Sequence, residues 1–62
     1  MLDNKTFEEL RTELLQGEND EFTTLSMAIK EEKYKNISDS QIQKLLDWYG
    51  EDENTVTDVR NY

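Results

Sequence analysis

The sequence predicts an all-α fold: a small domain of three helices, at about 6–16, 20–35 and 38–49, filling residues 1–50, with an acidic C-terminal tail over 51–62. Three observations carry this expectation. Apolar residues recur at helical spacing in three stretches. Each stretch is preceded by a residue type that caps helix N-termini. Glycines stand where the first and third stretches end, at Gly17 and Gly50.

The first helix is expected to start at Thr6, because Thr6-Phe7-Glu8-Glu9 has the capping-box form in which a hydroxyl and a carboxylate satisfy free backbone amides. Phe7, Leu10 and Leu14 fall at i, i+3 and i+7, giving one apolar stripe with Glu8, Glu9 and Glu13 facing outward. Acids in a first turn also complement the helix dipole. The second helix follows Asn19 or Asp20 as N-cap and runs to about residue 35. Phe22, Leu25, Ala28 and Ile29 point inward, with Met27 or Tyr34 beside them, and Lys30, Glu31, Glu32, Lys33 and Lys35 form a solvated face.

The third start is the clearest local signal. Ser38 and Gln41 form a capping box, and Ile37 and Ile42 the hydrophobic staple that accompanies it. Ile42, Leu45, Leu46 and Tyr49 make the apolar stripe, and Gly50 sits where a left-handed residue closes a helix. Residues 51–62 are read by default as a frayed tail. An edge strand through the β-branched run, or a short helix capped by Asn54 or Thr55 and using Val56, Val59 and Tyr62, are the alternatives.

A chain of 62 residues makes one domain, and a domain of that size buries only about 60% of its unfolded surface. It has neither cysteine nor histidine, so disulfides, thiolate nucleophiles, imidazole bases and structural zinc sites lie outside its chemistry. There is no Ser-His-Asp set and no glycine-rich phosphate loop. Paired carboxylates are present, but short helices do not enclose the cleft that a carboxylate dyad needs. No enzyme, cofactor or metal is expected. The oxygen-rich stretches Glu18-Asn19-Asp20-Glu21 and Glu51-Asp52-Glu53-Asn54 depart from the calcium-loop pattern. The N-terminal residues hold no apolar run of signal-peptide length, and nothing approaches a membrane span, so a cytoplasmic location is expected.

Charge is the strongest functional signal. The net charge is −8. Residues 1–21 carry seven acids and two bases, residues 22–44 three and four, and residues 45–62 five and one. Two acidic flanks repel nucleic acid and anionic lipid and attract a basic protein surface. Direct nucleic-acid reading is disfavoured because the one basic cluster, Lys30, Lys33 and Lys35, is interleaved with Glu31 and Glu32.

Two binding mechanisms follow. In the first, carboxylates imitate phosphates, since acids at i and i+4 on a helix lie ~6 Å apart along its axis. The candidates are Glu8, Glu9, Glu13, Glu18, Asp20 and Glu21 at one end and Asp47, Glu51, Asp52 and Glu53 at the other. In the second, Tyr49 packs inward and leaves the adjacent Trp48 outside, next to Tyr34 or Met27, as an apolar anchor for a partner or for a second copy of the chain. Acids could then steer the encounter that Trp48 holds.

No residues match the motif of a named family. In size, charge and helix content the chain resembles the small acidic accessory proteins of phages and mobile elements. That resemblance implies a protein that inhibits host machinery by binding it, and the mimicry mechanism gives the target class: a nucleic-acid-binding host factor, a polymerase subunit, a restriction enzyme or a CRISPR effector. The alternative is a small oligomerising or scaffold module, anchored on Trp48, whose acidity serves solubility.

Overall fold

Residues 1–50 and 53–62 are described by a computed structural model, which forms four helices: α1 (Asn4–Gln16), α2 (Glu21–Ala28), α3 (Asp39–Trp48) and α4 (Val56–Asn61). The fold is all-α, with no strand among the described residues.

Helix α1 starts two residues before the expected position because Asp3, not Thr6, is its cap. The Asp3 backbone is extended, and its Oδ1 accepts the Thr6 amide at 2.7 Å. This hydrogen bond holds the Asp3 carboxyl below the ordinary aspartate range, with a smaller pull from Lys5. Glu8 and Glu9 therefore lie beyond the first turn, which contains no acid, and Asp3 takes over the dipole-complementing role assigned to them. Phe7, Leu10 and Leu14 are buried as their spacing requires. Gly17 ends the helix in an ordinary extended conformation. Its glycine identity answers to space: a β-carbon there would stand 3.1 Å from Oγ1 of Thr24 in α2.

Helix α2 is capped by Asp20, whose Oδ1 accepts the Thr23 amide at 2.8 Å. It ends at Ala28 rather than near residue 35. Beyond it the amides of Lys30, Glu31, Tyr34 and Ile37 bond carbonyls three residues back, so the ladder tightens into successive turns. The apolar pattern explains the break. At 3.6 residues per turn, Tyr34 would lie about 180° from Leu25 on a continuous helix. The inward positions would then fall to Glu32 and Asn36. Breaking the helix puts Leu25, Ala28, Ile29, Tyr34 and Ile37 into one core, while Met27 is left 55% exposed.

Helix α3 follows the sequence closely. Ser38 Oγ accepts the Gln41 amide, and Gln41 Oε1 accepts the Ser38 amide, closing the capping box. Ile37 and Ile42 are both buried. Gly50 has φ of 68°, the left-handed conformation expected after the helix. The Gln41 side chain has a second task. It accepts the Leu2 amide at 3.0 Å and donates to the Leu2 carbonyl at 2.8 Å, binding the N-terminal residues to α3 as a neighbouring strand would.

Helix α4 takes up six of the ten described residues of the expected tail. Thr55 and Asp58 form a reciprocal capping box, and Val59 is fully enclosed. Arg60 directs Nε and Nη2 onto Asp39 Oδ1 at 2.8 and 2.7 Å and donates to the Ile37 carbonyl at 3.2 Å. Tyr62 meets Phe22 edge-on, ring centroids 5.7 Å apart. The frayed-tail expectation is thus corrected for these residues, and Glu51 and Asp52 lie outside the described ones. Helix α1 packs on α2, and α4 packs on both α2 and α3, around a core centred on Leu10, Leu25, Tyr34, Ile42, Leu45 and Val59. The radius of gyration is 10.3 Å, close to the value of about 10.6 Å for a packed chain of this length.

Candidate protein-binding surface

Helical spacing sets Lys5, Glu8, Glu9, Thr12 and Glu13 along one side of α1. With Lys33 from the turns after α2, they line a depression open to solvent. Glu8, Glu9 and Glu13 are therefore brought together, as the mimicry mechanism requires, but two lysines are interleaved with them. Lys33 Nζ is 2.8 Å from Glu9 Oε2, and this hydrogen bond raises the Lys33 pKa above its ordinary value. Arg11 Nη1 is 3.7 Å from Glu8 Oε2. Glu13 has no base within ion-pair distance among the described residues.

Beneath this face lies Tyr34. Its hydroxyl is buried and meets no partner at hydrogen-bond geometry among the described residues. Burial pushes its pKa up, and the charge of Glu13 adds to the effect; Lys33 pulls the other way more weakly.

The remaining candidate acids divide by what they do locally. Asp20 is committed as the α2 cap, with its second oxygen accepting from the Thr23 hydroxyl at 3.3 Å. Glu21 occupies the first turn of α2, where it favours the helix dipole. Asp47 accepts from Gln43 Nε2 at 3.0 Å. Glu18 and Glu53 are exposed. Glu51 and Asp52 lie outside the described residues. None of Glu13, Glu18, Glu21, Asp47 and Glu53 has an ion-pair partner among the described residues.

Six of the seven bases, by contrast, are engaged; Lys5 lines the α1 depression without an ion pair or a ring contact among the described residues. Arg11, Lys33, Lys35 and Arg60 pair with Glu8, Glu9, Glu32 and Asp39. Lys44 Nζ lies 5.1 Å from the centre of the Trp48 ring, and Lys30 Nζ lies 5.7 Å from that of Tyr62. All four ion pairs are exposed, so each contributes only about 0–1 kcal/mol to stability. Their larger effect is to spend the positive charge locally and leave the other acids without a counter-charge.

Trp48 is 41% exposed, while Tyr49 packs against the core and donates its hydroxyl to the Arg11 carbonyl at 3.3 Å. The division of the two adjacent aromatics is the expected one. Their surroundings are not: Tyr34 is fully enclosed, and the ring neighbours of Trp48 are Phe7, Arg11 and Lys44. The Phe7 centroid is 5.7 Å away, tilted by 41°, and Arg11 Cζ lies 4.1 Å from the indole centre. Lys44, four residues before Trp48 on α3, was legible as a neighbour. Arg11 reaches it from α1, a contact that only the helix packing creates.

Among the described residues no group of three or more carboxylates stands where a metal ion could be held. No helix of the described residues is long and apolar enough to cross a membrane. The chain matches no protein-family model, and no curated protein and no solved structure matches it.

Proposed function

We propose that this chain is a non-catalytic binding protein that inhibits or modulates a basic, nucleic-acid-binding protein by offering carboxylates where the partner expects phosphates. A cytoplasmic inhibitor of the anti-restriction or anti-CRISPR kind, encoded by a phage or mobile element, fits this description. The observation that carries the reading is the asymmetry of pairing. Six of the seven bases are held in ion pairs or near aromatic rings, Lys5 being the exception, while Glu13, Glu18, Glu21, Asp47 and Glu53 carry uncompensated charge at the surface. Such a surface raises association rates with basic partners and favours them over acidic ones. Glu8 and Glu9 contribute less than their positions in the sequence promise, because Arg11 and Lys33 already neutralise them.

Affinity capture from nuclease-treated bacterial lysate, eluted in salt steps, tests the reading. The expected result is a nucleic-acid-binding protein that leaves between low and moderate salt and is displaced by added duplex DNA. Salt-resistant capture that DNA does not disturb would count against it.

A second reading, a scaffold or oligomerising module anchored on Trp48, is favoured by the exposure of that indole beside Phe7 and two cations. Partly exposed tryptophan flanked by arginine is the composition of interface hot spots.

A further inference from the structure

The surface around Trp48 differs from the rest of the molecule in its charge balance. Arg11 on α1 and Lys44 on α3 lie against the indole, Glu8 is paired with Arg11, and Asp47 adjoins Trp48 along α3, two acids and two bases on a chain whose net charge is −8. Leu15, 66% exposed, continues the α1 side of this face one turn beyond Arg11. Balance matters for one kind of partner above all. A two-fold interface lays a patch against its own copy, so an acidic patch would repel itself, while a patch holding both signs in the right order attracts itself.

We infer that this face is a two-fold interface between two copies of the chain, centred on Trp48. The order of charges on α3 supplies the register. If the two α3 helices run antiparallel about an axis between Lys44 and Asp47, Lys44 of each copy lies beside Asp47 of the other. Each indole then crosses the turn at Gln43 and Lys44 of the second copy. Arg11 and Leu15 extend the contact along α1. A standard interface buries roughly 600–1,000 Å² per copy, within what one two-helix face can supply from a chain with 4123 Å² of accessible surface. Small domains without disulfides or metals also gain from burial against a partner. Of the acids proposed to meet a basic target, Asp47 is taken up by this contact, while Glu13, Glu18 and Glu21 are not part of it, so a dimer would present two copies of these three. This inference rests on the Trp48-anchored reading.

Sedimentation equilibrium of the full chain in moderate salt, from ~10 μM to ~1 mM, tests it. The mass should rise with concentration from 7.4 kDa toward twice that value. Trp48→Ala should abolish the rise. Lys44→Asp should weaken association by about tenfold or more by setting like charges together, and Asp47→Lys should do the same. The double variant Lys44→Asp/Asp47→Lys should restore association, because exchanging the two signs recreates the pair across the two-fold axis. Far-UV circular dichroism of each variant confirms that the helices persist, and the rescue decides the matter even if Trp48→Ala unfolds. A monomer at all concentrations, or a dimer indifferent to Lys44→Asp, would overturn the inference. Loss on Trp48→Ala of a different captured protein, with the chain itself monomeric, would overturn the second-copy assignment while leaving Trp48 as an anchor.

Discussion

Two buried polar side chains, Tyr34 and Gln41, show how differently one residue can act in a core this small. The Tyr34 hydroxyl is buried without a hydrogen-bond partner among the described residues, and an unmet buried donor costs about 1–3 kcal/mol. Tyr34→Phe keeps the ring and removes that cost, so chemical denaturation should show a gain of about 1 kcal/mol; a loss of similar size would mean that the hydroxyl is satisfied in solution. Gln41 is the opposite case: its amide oxygen accepts from the Leu2 and Ser38 amides and its nitrogen donates to the Leu2 carbonyl. Gln41→Ala should cost roughly 2 kcal/mol by stranding those backbone groups, and hydrogen exchange should show the Leu2 amide losing protection. The capping half of Gln41's role was legible from Ser38-Asp39-Ser40-Gln41. The contact with Leu2, 39 residues away, has no sequence signature, because it exists only once α3 and the N-terminus are adjacent. The position of Trp48 was partly legible, because Ile42, Leu45, Leu46 and Tyr49 already fill the apolar stripe of α3 and Trp48 falls at its edge.

Helix starts were easier to read than helix ends. Capping is local chemistry, so Asp20 and Ser38 could be picked out within a residue or two. Even the Asp3 start was missed only because Thr6 offered a competing pattern. The early end of α2 depends on where Leu25 and Tyr34 must both point, which is a property of the assembled core. Helix α4 carried a readable signal in Thr55-Val56-Thr57-Asp58, yet six residues are too few for periodicity to decide, and tertiary packing of Val59 makes the helix. Val59→Ala should therefore cost about 2 kcal/mol through lost burial and the cavity left behind. Thr55→Ala should cost about 1 kcal/mol through the lost cap. A frayed segment would show changes below ~0.5 kcal/mol for both in urea unfolding.

At the scale of the whole molecule, the net charge of −8 governs behaviour more than any single pair. Uncompensated acids repel one another in the folded state, and salt screens that repulsion over a Debye length of about 8–10 Å. The melting temperature should therefore rise by about 5 °C between ~20 mM and ~500 mM salt; a fall would mean that the exposed ion pairs outweigh the repulsion. The pH dependence follows from two kinds of group. The Asp3 carboxyl is held below its ordinary value of 3.8 by the Thr6 amide, so its contribution is present above that pH and is lost as pH falls below it. Tyr34 and Lys33 are both raised, from 10.0 and 10.5, the first by burial and the second by Glu9. Their contributions are full below those values and are lost as pH rises through the higher folded-state values. Stability should thus fall on both flanks, and the alkaline fall should be shallower in Tyr34→Phe. Whether the acidic surface is a binding face or a solubilising one was not legible in the sequence, because pairing depends on which base each acid meets across the fold. Glu9 with Lys33, and Asp39 with Arg60, are such cross-fold pairs.

If unpaired surface acids recognise a basic partner, replacing them must release that partner while the exposed indole can be spared. Salt-step capture from nuclease-treated lysate is run in parallel with the native chain, with the triple variant Glu13→Gln/Glu18→Gln/Glu21→Gln, and with Trp48→Ala, each first shown to be helical by circular dichroism. The expected result is that a DNA-displaceable, nucleic-acid-binding protein is retained by the native chain and by Trp48→Ala and is lost from the triple variant. Equal retention by the triple variant, or loss on Trp48→Ala alone, would contradict it.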